Sequence, residues 1–563
     1  MQKIYRMRDT APGDVHAALS EHPELLRELF FTRGITDRES AARFLSPSFE
    51  RGSHDPFLLP GMDVAVERIR RAAHAGELVC VWSDYDCDGI PGGVALTEFL
   101  RDIGCRVRHY IPHRHEEGYG LNEKGLREVA AEGIRLVITV DLGVSEVKNV
   151  ELASSLGMET IITDHHLPPQ VLPEALALLN PHRKDSAYPF RELCGAGVAW
   201  KLIQGVLARE RFGIPPGREK WLLDLIGLAT LSDMVPLVGE NRMLASYGLL
   251  VMRKTRRPGI REMLKLLRIN MRTLNEDDIT FMLSPRINAA SRMERPETAA
   301  RMLATADAEE GAELARALNR INDERKGAVA SIVKEARHRL AARAGTEAGK
   351  IIVLGSPKWR PGVLGLVANS LMEAEGRPVF LWGREGGELL KGSCRSNDVS
   401  VVELMRAAGD TLEGFGGHEF SGGFSLREDR VHELAGKLSP AYALLRAEMG
   451  TEKEIFLDGK LALDDAPRAL AHLARLSPYG EGNRKPLFLF PNVSVSRLRM
   501  FGKTENHLEL ILAGAGATIS GVSFFSTPDS FTKSPREGVR ADIVANVEPD
   551  FRGRPRLRVV DVL

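Results

Sequence analysis

Cysteine is scarce in this chain. Its 563 residues hold five, Cys80, Cys87, Cys105, Cys194 and Cys394. They are widely spread and form no CxxC pair, which argues against a disulfide framework and a structural zinc site and fits a reducing cytoplasm. Net charge is missing as well, since 76 Lys and Arg balance 76 Asp and Glu. No global basic field can therefore hold a polyanion, and any nucleic-acid contact must be local. No apolar run approaches the roughly 18 residues of a membrane span, and the opening MQKIYRMRDTAPGD has no apolar signal region. A soluble, cytoplasmic protein without membrane contact is expected. Internal repeats and long low-complexity tracts are also lacking. What remains is 43% hydrophobic and 27% charged, enough to bury cores in three or four domains.

From about residue 77, short apolar runs alternate with helix-length segments. ELVCVWSD, CRVRHYIP, RLVITVD and METIITD read as strands, separated by PGGVALTEFLRDIG, EKGLREVAAEG and VKNVELASSLG. This alternation predicts an α/β domain with a doubly wound parallel sheet, whose ligands bind beyond the carboxyl ends of the strands. From Glu309 to Arg343, apolar residues recur at three- or four-residue steps (Leu314, Leu318, Ile321, Ala328, Ile332, Ala336, Leu340). That spacing predicts a long helix, either packed along one domain or connecting two lobes, because a fresh strand signal, KIIVLGS, follows at once. After residue 450 the segments become strand-sized (PLFLFPNVSVSRL, HLELILAG, ATISGVSFF, RADIVANVEP), as in an all-β, OB-like barrel.

Acidic and histidine clusters fall where the sheet places a site. The first strand ends in DYDCDG (Asp84, Asp86, Asp88), the third in Asp141, the fourth in Asp164, His165 and His166, and the apolar stretch WLLDLIGLATLSD in Asp233. A lone aspartate in such a place is usually a cap or turn residue. Four clusters in a row with a histidine pair shift the balance to metal, because crowded carboxylates repel unless cations neutralise them. Mixed carboxylate and imidazole ligands suit Mn2+, and Mg2+ with more water.

DYDCDG (84–89), VDLGVS (140–145), TDHH (163–166) and SDMVPL (232–237) resemble, in order, the four motifs of the DHH phosphoesterase superfamily. IPHRHEEGYGLN (111–122), GAGVAWKL (195–202), SPRINAASRM (284–293), GFGGHEFSGGF (414–424) and SPYGEGNRKPLF (477–488) resemble signatures of its RecJ exonucleases, so the likeness spans nearly the whole chain. It implies a 5′-to-3′ exonuclease that degrades single-stranded DNA to mononucleotides in recombination and repair. Two divalent ions, Mn2+ or Mg2+, would be held by Asp86, Asp88, Asp141, His165 and Asp233, with Asp141 bridging. His166 would contact the scissile phosphate, with Asp84 and Arg286 in the catalytic group. Arg114, Ser393, Arg395, Arg360 and His418 would bind substrate, and Arg114, Ser393 and Arg395 correspond to the pocket for the 5′ end. The implied domains are an N-terminal segment (1–55), a DHH domain (56–308), the connecting helix (309–345), a DHH-associated α/β domain (346–450) and the OB-like domain (451–563). A monomer is expected, with a single-strand-binding protein and a helicase as the partners that supply strand.

Two positions depart from the family pattern. Trp82 stands where many relatives carry a histidine, leaving Asp84 or water to complete one metal shell, and Arg360 replaces the histidine of WHPGV, keeping a donor but gaining permanent charge. Cys87 replaces a small residue and reads as a buried bystander. The stretch 253–272 has eight basic residues against one acidic, which suits phosphate contact or a solvated helix face. His507 is either an exposed strand histidine or a substrate contact. The rival readings are a small-substrate DHH phosphodiesterase, which generally lacks the last hundred residues, and an inactive replication scaffold, which loses the ligands kept here. A dinucleotide-binding dehydrogenase is disfavoured because no GxGxxG follows the first strand.

Overall fold

The computed structural model describes residues 2–342, 351–384, 386–447, 452–502 and 505–563. Its chain divides into two compact units, one of Met1–His54, Met234–Ser246 and Thr451–Leu563, the other of Asp55–Asp233 and Tyr247–Gly450. The domain limits expected at 345/346 and 450/451 fall outside the described residues. Gln2–Met7, the first strand (β1), belongs to the first unit.

The second unit opens with the expected parallel sheet. Strands β2 (Leu78–Ser83), β3 (Arg106–Tyr110), β4 (Leu136–Val140), β5 (Glu159–Thr163) and β6 (Ala177–Leu179) lie in the order β3-β2-β4-β5-β6, all parallel. All of LVITV in β4 is buried, as a central strand covered on both faces requires. The chain leaves β2 for β3 on one side and returns as β4 on the other, so the strand order reverses between β2 and β4. Ligands of such sheets bind beyond that switch point. Register then sets the site: Ser83 lies beside Val140 and Val140 beside Thr163, so Asp84, Asp141 and Asp164 leave neighbouring strand ends. WLLDLIGLATLSD is a helix at its core, Leu223–Ser232, buried along its length, with Asp233 as its C-cap.

The connecting helix, Ala308–Ala342, packs on helices Pro258–Leu266 and Ser284–Met293 of the first lobe and on Pro361–Glu375 of the second. Both sequence readings therefore hold along different stretches of one helix. Gly259 and Gly311 allow the crossing, since a Cβ on Gly311 would lie 2.8 Å from the Gly259 nitrogen. Further along, Ile332, Ala336 and Leu340 share a core with Val363, Leu364, Val367 and Leu371, and each fully buried side chain contributes roughly 1.5–3 kcal/mol. The second lobe is a mixed sheet of β7 (Ile352–Ser356), β8 (Val379–Gly383), β9 (Leu390–Arg395), β10 (Gly414–His418) and β11 (Ser421–Leu426), ordered β10-β11-β9-β8-β7.

In the first unit, β12 (Glu452–Leu457) pairs in parallel with β1. A six-stranded sheet of β13 (Gly459–Lys460), β14 (Phe488–Phe501), β15 (His507–Ala513), β16 (Thr518–Phe524), β17 (Arg540–Pro549) and β18 (Pro555–Val562) closes into a barrel where β14 also pairs with β17. Burial in β15 alternates residue by residue, the period of a strand with one face inward. The barrel core includes Leu26, Leu29 and Phe30 of the N-terminal segment and Leu473 of a helix, Ala466–Leu473, that the strand reading of this region did not include. Among the described residues, no helix is long and apolar enough to cross a membrane.

The basic stretch 253–272 is partly structural. Arg253 donates to the Leu274 carbonyl, and Arg257 is bidentate to Glu98 while its Nε donates to Asp224; Lys254, Arg256, Arg261, Arg268 and Arg272 are exposed. Removing one member of a buried ion cluster leaves uncompensated charge. Arg257→Met is expected to destabilise the protein by about 3 kcal/mol, read from the denaturation midpoint; an unshifted midpoint would show that the cluster contributes nothing to stability.

Candidate metal centre

Local backbone explains how so many acids meet beyond β2 and β4. Asp86 Oδ1 accepts from the Asp88 and Gly89 amides, closing the DYDCDG turn onto the start of helix Gly89–Asp102. Asp88 accepts from the amides of Gly195 (2.6 Å) and Ala196 (2.9 Å). These open the 15-residue helix Gly195–Arg209, whose N-terminal dipole favours a carboxylate. Gly195 has no substitute, because a Cβ there would stand 2.4 Å from the Asp141 Cβ. Asp141 itself is buried in the left-handed region (φ 66), a conformation uncommon outside glycine and one that clusters at functional sites.

Three overlapping triads result: Asp88 with His165 and Asp233; Asp84 with Asp86 and Asp141; and Asp141 with His165 and His166. Within each, the ligand atoms lie within 4.8 Å of one another. His165 Nε2 is 3.1 Å from Asp141 Oδ1, 3.7 Å from Asp233 Oδ2 and 3.8 Å from Asp88 Oδ2. Burial first, then the neighbouring carboxylates, pushes Asp84, Asp141 and Asp233 well above the usual carboxylate range; burial likewise raises Asp88, against the pull of His165. Burial lowers His165, so its imidazole tends to neutrality. Two like charges 4 Å apart repel by roughly 4 kcal/mol at an effective dielectric constant of about 20. The buried Oδ1 atoms of Asp84 and Asp141 also have no hydrogen-bond donor. Orphaned carboxylate oxygens beside a neutral imidazole fit divalent cations, and Asp141, shared by two triads, has the position of a bridge.

Asp164, quoted in TDHH but given no role by the sequence, organises the histidines. It accepts from the amides of Val144, His165 and His166 and from His166 Nδ1 at 2.8 Å. Burial opposes its ionisation, but these bonds and the His166 charge hold its carboxyl below the usual range; Asp164 in turn raises His166 against the effect of burial. With Nδ1 so engaged, His166 has Nε2 left for a substrate. The Tyr119 ring stands edge-on to Tyr85 and His166, and the Arg114 guanidinium lies 4.9 Å over Tyr85. Trp82 takes no part in the triads. It stacks on Tyr110 at 4.0 Å and donates to the Gly120 carbonyl, inside the core. Cys87 is buried, with burial pushing its thiol up to about 12.

The expected phosphate residues divide. Ser393 and Arg395 converge on Gly365, where a Cβ would lie 3.3 Å from Ser393 Oγ and 2.9 Å from Arg395 Nη2, so the bare glycine keeps a cradle open. Beside them is Arg292, which sequence reasoning missed although SPRINAASRM contains it. It donates to the Gly362 carbonyl, and its own carbonyl lies 3.2 Å from His115 Nε2. Burial, then the charges of Arg114 and Arg325, pushes its guanidinium down to about 9. Arg395 also contributes to that field, and Asp86 partly offsets it. Arg286 is buried and engaged by Asn319 and the Met282 carbonyl. Arg360 is the exposed N-cap of helix Pro361–Glu375, and His418 is exposed on the edge strand β10; the structure does not bring these two to the carboxylates.

Three family models match the chain: the DHH family, N-terminal domain (residues 78–230), the DHHA1 domain (348–441) and the RecJ OB domain (457–560). The single-stranded-DNA-specific exonuclease RecJ of Bacillus subtilis is 32% identical over 547 residues, 95% of this chain and 67% of its own. That of Dickeya dadantii is 31% identical over 580 residues, 99% and 98% of the two chains. The crystal structure of Thermus thermophilus RecJ with Mn2+ superposes with a TM-score of 0.82 at 28% identity, covering 99% of this chain and 79% of that one; its Mg2+ complex gives 0.76 at 27%, covering 99% and 78%.

Partners that orient metal-binding histidines typically change affinity 10–100-fold when lost. Asp164→Asn is expected to weaken Mn2+ binding by about that factor in titration calorimetry. Unchanged affinity would show that Asp164 does not orient the histidines.

Proposed function

Since the chain belongs to the RecJ family of the DHH superfamily, we propose that it is a metal-dependent exonuclease specific for single-stranded DNA, degrading it 5′ to 3′ to mononucleotides. The observation that carries the mechanism is the juxtaposition of orphaned buried carboxylates with arginines that have no acidic partner. Two Mn2+ or Mg2+ ions held by Asp86, Asp88, Asp141, His165 and Asp233, with Asp84 completing a shell, supply hydroxide at neutral pH and stabilise the charge that develops at phosphorus.

The chain's own groups do the rest. Asp164 fixes the ring of His166, whose Nε2, when protonated, donates to a non-bridging oxygen of the scissile phosphate. Ser393, Arg395, Arg114 and Arg292 hold the terminal 5′-phosphate by charge-assisted hydrogen bonds. A strand seated there offers its first internucleotide phosphate to the carboxylate cluster, which sets the polarity and releases one nucleotide at a time. Tyr85 and Tyr119 give the terminal nucleotide aromatic surface. Arg286, tied to the connecting helix, contributes fixed positive charge, and Arg360 and His418 meet strand outside the cluster. Delivery of strand by a helicase and a single-strand-binding protein, a monomeric state, a cytoplasmic location and service in recombination and repair belong to the same reading. The match to the RecJ OB domain favours it over a small-substrate phosphodiesterase.

Hydrolysis of 5′- and 3′-labelled single strands tests the polarity, with label released first from the 5′ end. A charge-assisted bond of about 1.5–3 kcal/mol makes Arg395→Ala roughly 10- to 100-fold slower on 5′-phosphorylated strands and much less impaired on 5′-hydroxyl strands. Equal slowing would contradict a terminal-phosphate pocket. Asp141→Ala is expected to abolish turnover while strand binding persists, and near-normal rates in saturating Mn2+ would remove Asp141 from the metal site.

A further inference from the structure

The barrel carries a row of rings that its core does not use. Phe501 of β14 is the direct cross-strand partner of His507 in β15, and His507 of Phe524 in β16. Leu508, Leu510 and Leu512 face the core, so His507, one residue out of phase, stands on the outer face with its partners. Ring centroids are 5.2 Å apart for Phe501 and His507 and 5.3 Å for His507 and Phe524. Phe525 extends the row, 4.8 Å from His507 and edge-on to it.

Phe525 is the unusual member. It is 80% exposed and has a left-handed backbone (φ 55), which side chains other than glycine rarely adopt. Its amide donates to His507 Nδ1 at 3.0 Å, so the histidine holds the strained residue in place. Gly502 makes room for that imidazole, since a Cβ there would lie 2.8 Å from its Cδ2. Folding gains little from an exposed ring on a strained backbone. A ligand with flat faces would gain more, because aromatic side chains stack on every base irrespective of sequence.

The charge around the row is basic. Arg497 and Arg499 precede Phe501 at alternating positions of β14, and the Arg558 guanidinium lies 4.2 Å over the Phe524 ring. Arg499 pairs with Glu509, while Arg556 and Arg558 share Glu548. Four arginines thus face two glutamates, an excess that suits a phosphate backbone running beside stacked bases.

We propose that Phe501, His507, Phe524 and Phe525 form a base-stacking platform for single-stranded DNA, with Phe525 as its exposed face and Arg558 as its flanking cation. The platform rests on the nuclease reading and adds to it a place where bases, in addition to phosphates, are held on the barrel.

The test uses the full chain in EDTA, so that strand is bound and not cut, and compares a 20-nucleotide oligothymidylate with an abasic strand of equal length by fluorescence anisotropy. Wild type is expected to bind the base-bearing strand at least about 5-fold more tightly. The double variant F524A/F525A should lose most of that preference while keeping a cooperative melt. F525W should keep the preference, with its emission quenched by oligothymidylate and unchanged by the abasic strand. Equal affinity of wild type for both strands, a double variant that keeps the preference, or F525W emission indifferent to bases would each overturn the platform. Mn2+-dependent hydrolysis of a trinucleotide by wild type, run alongside, separates the two claims, because its absence sinks the nuclease reading whatever the binding shows.

Discussion

Buried negative charge without protein counter-ions is the constraint on which the second unit is built. Asp84, Asp88, Asp141 and Asp164 are buried, and Asp86 and Asp233 lie beside them, yet no lysine or arginine forms an ion pair with any of the six among the described residues. Backbone amides answer part of the demand. The helix opening at Gly195 is spent on Asp88, and the turn after β5 on Asp164. What stays unanswered, on Asp84 and Asp141, is what a divalent ion can satisfy.

The arginine side has the opposite shortage. Arg114, Arg292, Arg325 and Arg395 have no ion pair with an acid among the described residues, and burial with mutual repulsion lowers Arg292. Positive charge without acids thus lies close to negative charge without bases, while the two sets remain unpaired. A phosphodiester substrate with its metal ions satisfies both. The tightly packed glycines have the same explanation: Gly195, Gly362 and Gly365 each stand where a Cβ would occupy space needed by Asp141, Arg292 with His115, or Arg395 with Ser393.

Much of this was legible in the sequence because strand ends can be read from apolar runs, and a parallel sheet places successive ends side by side. Asp84, Asp141 and Asp164 follow from that logic alone, and the likeness to DHH proteins added Asp233 across the intervening helix. The less legible parts depend on contacts between segments far apart in the chain. Nothing local in SPRINAASRM says that Arg286 turns to Asn319 while Arg292 turns to Gly362. A count of basic residues in 253–272 likewise cannot separate Arg257, consumed by Glu98 and Asp224, from exposed Arg261. The helix Ala466–Leu473 was hidden for another reason. Its eight residues are too few for a periodic pattern to stand out between strands, and its helicity rests on tertiary packing.

The central claim is that two metal ions share Asp141. Electron paramagnetic resonance of the protein titrated with Mn2+ tests it most directly. The account predicts two ions bound per chain, with the exchange-coupled spectrum of a Mn2+ pair, and loss of that coupling in Asp141→Asn. A single uncoupled Mn2+ at saturation, or coupling that survives the substitution, would contradict it.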